Sequence, residues 1–322
     1  MDTFYTRAIH AFHEHRGVVN GMSSGIAATW DKDGVLSLIV VLGGSLSLVA
    51  LVFAFITYSL FSDLRSLAGT TLMNLLASLF MVQLLFIIGV GGVQDSELCI
   101  GLGLSLQYLR ISVVCWIVAM CHHLHATIAS VRGCDDQPTY LKYSIFAWGT
   151  PLLTLGASIL VQTYETNDFW NVTDLTPFNC WFLGTKATIY TYSLPIILLI
   201  LISGYYLFNA AIIARYTYSM QLEIKQREKM KKRQTLQLIL FLKICLTVGF
   251  IAGCGVAARV WRIPLLWAIF CTGHSLQGLI VALSVACNCK VLKVYARKRT
   301  QSKQQIAKSS SMQLLAPHPD PV

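Results

Sequence analysis

Apolar residues in this chain come in long uninterrupted runs, not at the spacing of an amphipathic helix or an alternating strand. Seven such runs, at about 35–61, 67–92, 98–130, 140–163, 184–213, 235–258 and 264–288, are separated by short polar stretches. Each is long enough to cross the ~30 Å hydrocarbon core of a bilayer at ~1.5 Å per helical residue. A helix on a soluble core keeps a polar face; these segments are apolar on all sides. The third and fifth runs exceed the required length, which predicts tilt or extension past the bilayer. The second run opens less cleanly, on the small and polar residues Leu67 to Thr71. The pattern predicts an all-α membrane protein, a seven-transmembrane helix bundle.

Composition and charge add an orientation. Of 322 residues, 55% are hydrophobic and 12% charged, where soluble domains carry about 25% charged residues. Inner segments of a membrane protein are enriched in Lys and Arg. With the N-terminus outside, the segments 62–66, 131–139, 214–234 and the tail from 289, together with Lys142, hold 17 basic residues, and the outer segments hold 6. The acids divide the other way, 9 outside and 6 inside, so the net charge is −3 outside and +11 inside. This predicts N-out and C-in. The first 34 residues lack the apolar stretch of a cleavable signal peptide. Span one would then act as its own insertion signal, or the chain is a shortened form of something longer. The expected organisation is a short extracellular N-terminus (1–34), a seven-span domain (35–289), a short amphipathic juxtamembrane helix (290–300) and a disordered cytoplasmic tail (301–322).

Of ten cysteines, only Cys99 and Cys180 fall in or beside outer loops. On the oxidising face this suggests a disulfide; the alternative is two free thiols. The loop of Cys180 also carries Asn171-Val172-Thr173, the chain's one N-x-S/T sequon, which makes Asn171 a glycosylation candidate. On the inner side, Glu223/Arg227 and Glu228/Lys232 have the i,i+4 spacing that supports helix, so spans five and six are expected to continue into the cytosol. That basic loop reads either as a patch for anionic lipids or as a docking surface for an intracellular partner. After span seven, Val291, Leu292, Val294 and Tyr295 alternate with Lys290, Lys293, Arg297 and Lys298, as in a helix lying on the inner leaflet. Cys287 and Cys289 at its start are palmitoylation candidates or inert thiols.

Residues 115–128 hold two cysteines and three histidines. At helical spacing Cys115, His122 and His125 share a stripe, and His123 points elsewhere. A metal centre would need further ligands from other helices. All 15 acids lie outside the predicted spans, and the one other span histidine, His274, belongs to a different depth. The histidines therefore read as interhelical hydrogen-bonding groups near the inner face. A seven-span metal hydrolase built on His122 and His125 is the less favoured alternative. The missing intramembrane carboxylates also argue against an ion-coupled transporter. Span seven has no lysine for a retinal Schiff base, and no filter-like segment points to a channel. No catalytic residue, metal, cofactor or nucleic-acid partner is implied. Arg110 and Lys243 are costly in lipid and should face the bundle interior, water or a headgroup. Asn74, Gln83, Gln107, His274, Ser275 and Gln277 are the other inward candidates, either as contacts between helices or as a pocket or switch network.

Several stretches, in chain order, resemble the secretin/adhesion class (class B) of G-protein-coupled receptors, including methuselah-like members. Span two reads LRSLAGTTLMNLLASLFMVQLLFIIG; span three pairs Cys99 with Trp116; span four carries Trp148-Gly149-Thr150-Pro151; the second outer loop has Cys180-Trp181; span seven has Ser275-Leu276-Gln277-Gly278. The resemblance covers about residues 35–298. Two departures stand out: Leu72 where many members have histidine, and His123 or a neighbour where a glutamate is usual. The class implies a multi-pass plasma-membrane receptor, not an enzyme, that signals to a heterotrimeric G protein and contacts membrane lipids. Its extracellular ligand would be a peptide, a protein or a tethered segment. It places Gln107, Trp116, Trp181, Phe270, His274, Gln277 and Gly278 at the ligand pocket or its switch. It places Arg65, His122, His123, Arg132, Lys232 and Arg233 at the G-protein face. A truncated, non-signalling receptor isoform is the competing reading.

Overall fold

A backbone that crosses hydrocarbon must satisfy its own hydrogen bonds, and a helix does so within a single segment. The computed structural model describes residues 32–60, 66–91, 96–130, 139–166, 181, 188–220, 224–261 and 263–286. Among them are seven helices long and apolar enough to span a membrane. They are α1 (Lys32–Leu60), α2 (Leu67–Ile88), α3 (Ser96–Ser130), α4 (Tyr140–Thr166), α5 (Leu194–Met220), α6 (Ile224–Trp261) and α7 (Pro264–Ala286). By contacts the chain divides into Met1–Val35 and Leu36–Val322; the bundle belongs to the second unit. The N-terminal segment 1–31, Arg65, Arg132, Asn171, Cys180, Cys287, Cys289, the predicted helix at 290–300 and the tail lie outside the described residues, as does the side chain of Arg233.

The seven predicted spans match the seven helices. Their ends differ where a helix outruns the membrane. Hydropathy reports only the part in lipid, so α6 opens at Ile224, well ahead of the apolar window that starts at Gln234. The expected helical continuation of spans five and six beyond their apolar windows is therefore present, with α5 running to Met220. The second span starts where Ser66 caps it: the Gly69 amide donates to Ser66 Oγ at 3.3 Å. Pro264 opens α7, where its missing N–H costs nothing.

The third helix is the axis of the bundle. Its apolar window is 78% buried, against 17–50% for the other six, and α2, α4, α5 and α6 all pack on it. Pro151 stands inside α4 and cannot donate to the Ala147 carbonyl one turn earlier. The Ser112 hydroxyl of α3 donates to that carbonyl instead, at 3.2 Å, and Tyr108 Oη of α3 donates to the Trp148 carbonyl at 3.2 Å. Pro151 thus leaves the Ala147 carbonyl to the central helix, and the Trp148 carbonyl accepts a second bond from it. Before α5, residues Thr188–Ser193 form one wider π turn. It leaves three successive residues, Thr191, Tyr192 and Ser193, all buried.

The two intramembrane cations have different fates. Arg110 is buried in the bundle. Lys243 is exposed on the outside of α6, between the exposed side chains of Leu242 and Leu246. Of the three environments expected for it, the interior is excluded. The long stem of a lysine lets its ammonium reach toward headgroups from such a position.

The Pro151 arrangement yields a double-mutant test. Ser112→Ala should destabilise the purified protein by about 1–2 kcal/mol, because the Ala147 carbonyl loses its partner. In a Pro151→Ala background the restored N–H should serve that carbonyl, and the same change should cost at most about half as much. Thermal melting in lipid nanodiscs reads both; equal costs would sink the account.

Candidate functional site

Trp181, in the loop between α4 and α5, is only 7% exposed and reaches three helices. Its carbonyl accepts from Arg110 Nη1 of α3 at 2.7 Å. Its indole Nε1 donates to the Phe86 carbonyl of α2 at 3.2 Å. Phe86 lies in the last turn of α2, where carbonyls have no partner within the helix, so the loop supplies one. Gly89 makes room for this: a Cβ there would meet Trp181 Cδ1 at 2.9 Å. The indole also stacks on Phe86 (centroids 4.1 Å) and on Trp267 of α7 (5.6 Å).

Beneath this cap the stack continues inward. Phe86 lies on the His274 imidazole at 4.1 Å, and Phe270 meets His274 nearly edge-on at 5.4 Å. The Arg110 guanidinium sits over the Phe270 ring, 5.7 Å from its centroid, a distance at which a cation is attracted to a ring face. Tyr192 and Cys271 are close enough to Arg110 to interact with it electrostatically. Arg110, Tyr192, His274 and Gln277, with apolar side chains of α2, α3, α5 and α6, line a small pocket. The space open to the centre of a water-sized sphere is about 30 Å³, room for about two waters. His274 Nδ1 is buried and makes no hydrogen bond within the protein.

Two polar knots flank the cavity. On one side Gln107 Nε2 of α3 donates to Ser158 Oγ of α4 and to Thr191 Oγ1 at 3.2 Å, while Ser158 Oγ donates to Thr191 Oγ1 at 2.6 Å. On the other, Ser47 Oγ of α1 and Gln83 Nε2 of α2 both donate to the Ser275 carbonyl of α7, at 2.5 and 2.8 Å. The Leu279 amide returns a bond to Ser47 Oγ at 3.1 Å.

Toward the other end of α3, the histidines meet tyrosines. His122 Nδ1 is 2.9 Å from Tyr143 Oη of α4, and the ring of His122 meets Tyr206 of α5 edge-on at 4.9 Å. His125 also faces Tyr206, whereas His123 is turned to Tyr143. His122 and His125 thus share Tyr206, while His122 and His123 share Tyr143. Among the described residues, no group of three or more His, Cys, Asp or Glu side chains could hold a metal ion.

The sequence-predicted residues therefore fall into three places. Trp181, Phe270, His274 and Gln277 converge on the cap and cavity. Gln107 lies beside them, in the α3–α4 knot. Trp116 and Gly278 lie elsewhere. Trp116 is fully buried against Trp148 and Tyr140 of α4, with ring centroids 5.9 and 6.5 Å away. Gly278 is where α7 meets α1: a Cβ would stand 2.7 Å from Leu51 Cδ1 and 3.0 Å from Ser47 Cβ. Of the inner-face set, Lys232 is exposed, and His122 and His123 are engaged by α4 and α5. Phe86, Trp267 and Tyr192 were not singled out from the sequence. Two are aromatics in apolar runs with no periodicity, and the third belongs to the π turn.

A family model described as seven transmembrane receptor (Secretin family) matches residues 33–281. The chain is 29% identical over 161 residues to cadherin EGF LAG seven-pass G-type receptor 1 of Mus musculus, covering 49% of this chain and 5% of that protein. It is 25% identical over 256 residues to cadherin EGF LAG seven-pass G-type receptor 3 of Mus musculus, covering 78% of this chain and 7% of that protein. With adhesion G protein-coupled receptor E2 of Macaca mulatta it shares 23% identity over 294 residues, covering 89% and 34% respectively. The chain thus spans a small part of the length of these relatives.

The two motif glycines separate packing from pocket. Gly278→Ala should lower the melting temperature, at a cost of about 1–3 kcal/mol, because α1 must yield. At Gly149 an added Cβ meets nothing within 4 Å, so Gly149→Ala should be neutral or stabilise by up to about 1 kcal/mol through helix propensity. A Gly278→Ala protein that melts with the parent would place the α1–α7 contact wrongly.

Proposed function

This chain belongs to the secretin family of seven-transmembrane receptors, and we propose on that premise that it passes an extracellular signal across the plasma membrane to a heterotrimeric G protein. The observation that carries the reading is Trp181. One outer-loop residue is held by α3 through Arg110 and by α2 through Phe86, and it stacks on α7 through Trp267. A ligand that displaces the loop disturbs three helices at once. A ligand acts on such a bundle by binding one of its states more tightly than the other. The ligand would be a peptide, a protein or a tethered segment bound over the cap. Displacement of α6 would open an inner cleft between the inner ends of α3, α5 and α6.

The N-out orientation rests on the charge asymmetry of the loops. Cys99 is disulfide-bonded, and its partner is not among the described free cysteines 115, 121, 245, 254 and 271. We assign the partner as Cys180. It precedes Trp181, whose carbonyl is bound to the same helix as Cys99. The inner surface offered to a G protein comprises Arg65, Arg132, Lys232 and Arg233. His122 and His123 serve it indirectly, by fixing α4 and α5 through Tyr143 and Tyr206. Cys287 and Cys289, next to the basic stretch after α7, are the acylation candidates.

G-protein activation should be measured in cells expressing the full chain, with surface labelling as the control. Basal activation is expected to fall at least about threefold in Trp181→Ala and in Lys232→Glu/Arg233→Glu at equal surface level, a change equivalent to a little under 1 kcal/mol. Activation unchanged by either variant, or absent at normal surface level, would favour a non-signalling receptor form. Orientation has its own test. A glycosidase-sensitive mobility shift of the protein should vanish in Asn171→Gln; persistence of the shift would remove the sequon from the argument.

A further inference from the structure

Lys243 stands on the exposed face of a membrane span, with Ile239, Leu246 and Phe250 of α6 exposed along the same stripe. Among the described residues its ammonium has no hydrogen-bond or ion-pair partner; the Thr247 hydroxyl donates to the backbone carbonyl of Lys243 instead, at 2.8 Å. A charge in hydrocarbon is expensive, and intramembrane charges pair with one another, bind carbonyls or face water.

Two counts give the depth of Lys243. It lies nine residues past Gln234, where the apolar window of α6 opens, so its Cα is about 14 Å inside. The second count comes from α5, whose Ile200 Cδ1 lies 3.3 Å from where a Cβ on Gly249 of α6 would stand. Consecutive spans run in opposite directions, so six residues along each chain bring Tyr206 level with Lys243. Tyr206 is ten residues short of Tyr216, the end of the α5 window, or about 15 Å inside. An extended lysine stem is about 6 Å long and leans toward the N-terminal end of its helix, here the nearer one. The stem thus carries the ammonium toward the headgroups and leaves it about 8 Å inside the apolar window. Its acceptor must reach it within the membrane.

The acceptor that suits an ammonium there is a carboxylate. A second copy of this chain brings none, because all 15 acids lie outside the seven apolar runs. We propose that this face of α6 docks a membrane-spanning helix of another protein, one carrying an Asp or Glu at the depth of Lys243. Ile239, Lys243, Leu246, Phe250 and Gly253 follow one another at alternating steps of four and three, the spacing of a seam along which a second helix can lie. At Gly253 a Cβ would meet nothing within 4 Å, so the backbone there is open to close approach. This inference does not depend on G-protein coupling.

The test places the full chain, with a fluorophore at its C-terminus, in vesicles of zwitterionic lipid. The probe is a labelled Leu-rich peptide of about 24 residues, enough to span once, with one Glu at the depth of Lys243. Energy transfer is expected to show it binding at least about tenfold more tightly than the same peptide with Leu in place of Glu. Lys243→Leu should abolish that preference, and Lys243→Glu should transfer it to a peptide bearing Lys. Equal binding of the Glu and Leu peptides to the parent would overturn the proposal, as would a Glu preference that survives Lys243→Leu. Two further results would overturn it by assigning another occupant. One is a Lys243-dependent rise in melting temperature with phosphatidylserine and no peptide preference, which gives the lysine to a lipid headgroup. The other is Lys243-dependent pairing of two copies of the chain in place of peptide binding.

Discussion

The bond from Arg110 to the Trp181 carbonyl is the constraint around which this end of the bundle is organised. A guanidinium inside a membrane protein is expensive unless strong acceptors surround it. Here the chain folds the loop between α4 and α5 into the bundle and offers a backbone carbonyl at 2.7 Å. That requirement places Trp181, and Trp181 in turn places its neighbours. Its indole occupies the end of α2, its ring covers Phe86, and Trp267 closes over it. Gly89 exists in this frame as the absence of a side chain.

Beneath this cap, hydrogen bonds between helices sort the bundle into two wings hung on α3 and α7. Gln107 gathers α4 and the π turn, while the Ser275 carbonyl gathers α1 and α2. Each polar bond of this kind in a membrane is modest, about 0.6 kcal/mol on average. Their effect is therefore on register more than on strength. They define which faces meet, and dispersion between closely packed side chains then does most of the holding.

Much of this was legible in the residues. Lipid demands apolarity on every side, so the spans stand out without any periodicity. The same cost makes each intramembrane polar residue informative, and Gln83, Gln107, Arg110, His274, Ser275 and Gln277 are all buried. What could not be read were the rules that apply inside the bundle. Phe86 and Trp267 differ from other aromatics in these spans only by what the loop brings to them. Trp116 belongs with Trp148 and Tyr140 because α4 faces it. Gly278, within a motif tied to the switch, answers to the closeness of α1. Lys243 escapes the rule that charges turn inward because its flexible stem can carry the charge along the helix instead.

The π turn at Thr188–Ser193 gives α5 two phases instead of one. An α-helix advances about 100° per residue, so a single inserted position rotates everything beyond it by roughly that angle. Outside the turn, α5 and its lipid-facing residues follow one wheel. At the turn, the chain aims Thr191 at Gln107 and Tyr192 at the Arg110 cavity, from adjacent positions that an ordinary helix would splay apart. Residue count is therefore as strict a property here as residue type. Conservative replacement in this segment preserves the wheel, whereas loss of one residue would turn the segment before α5 away from both neighbours while leaving the C-terminal end of α5 untouched.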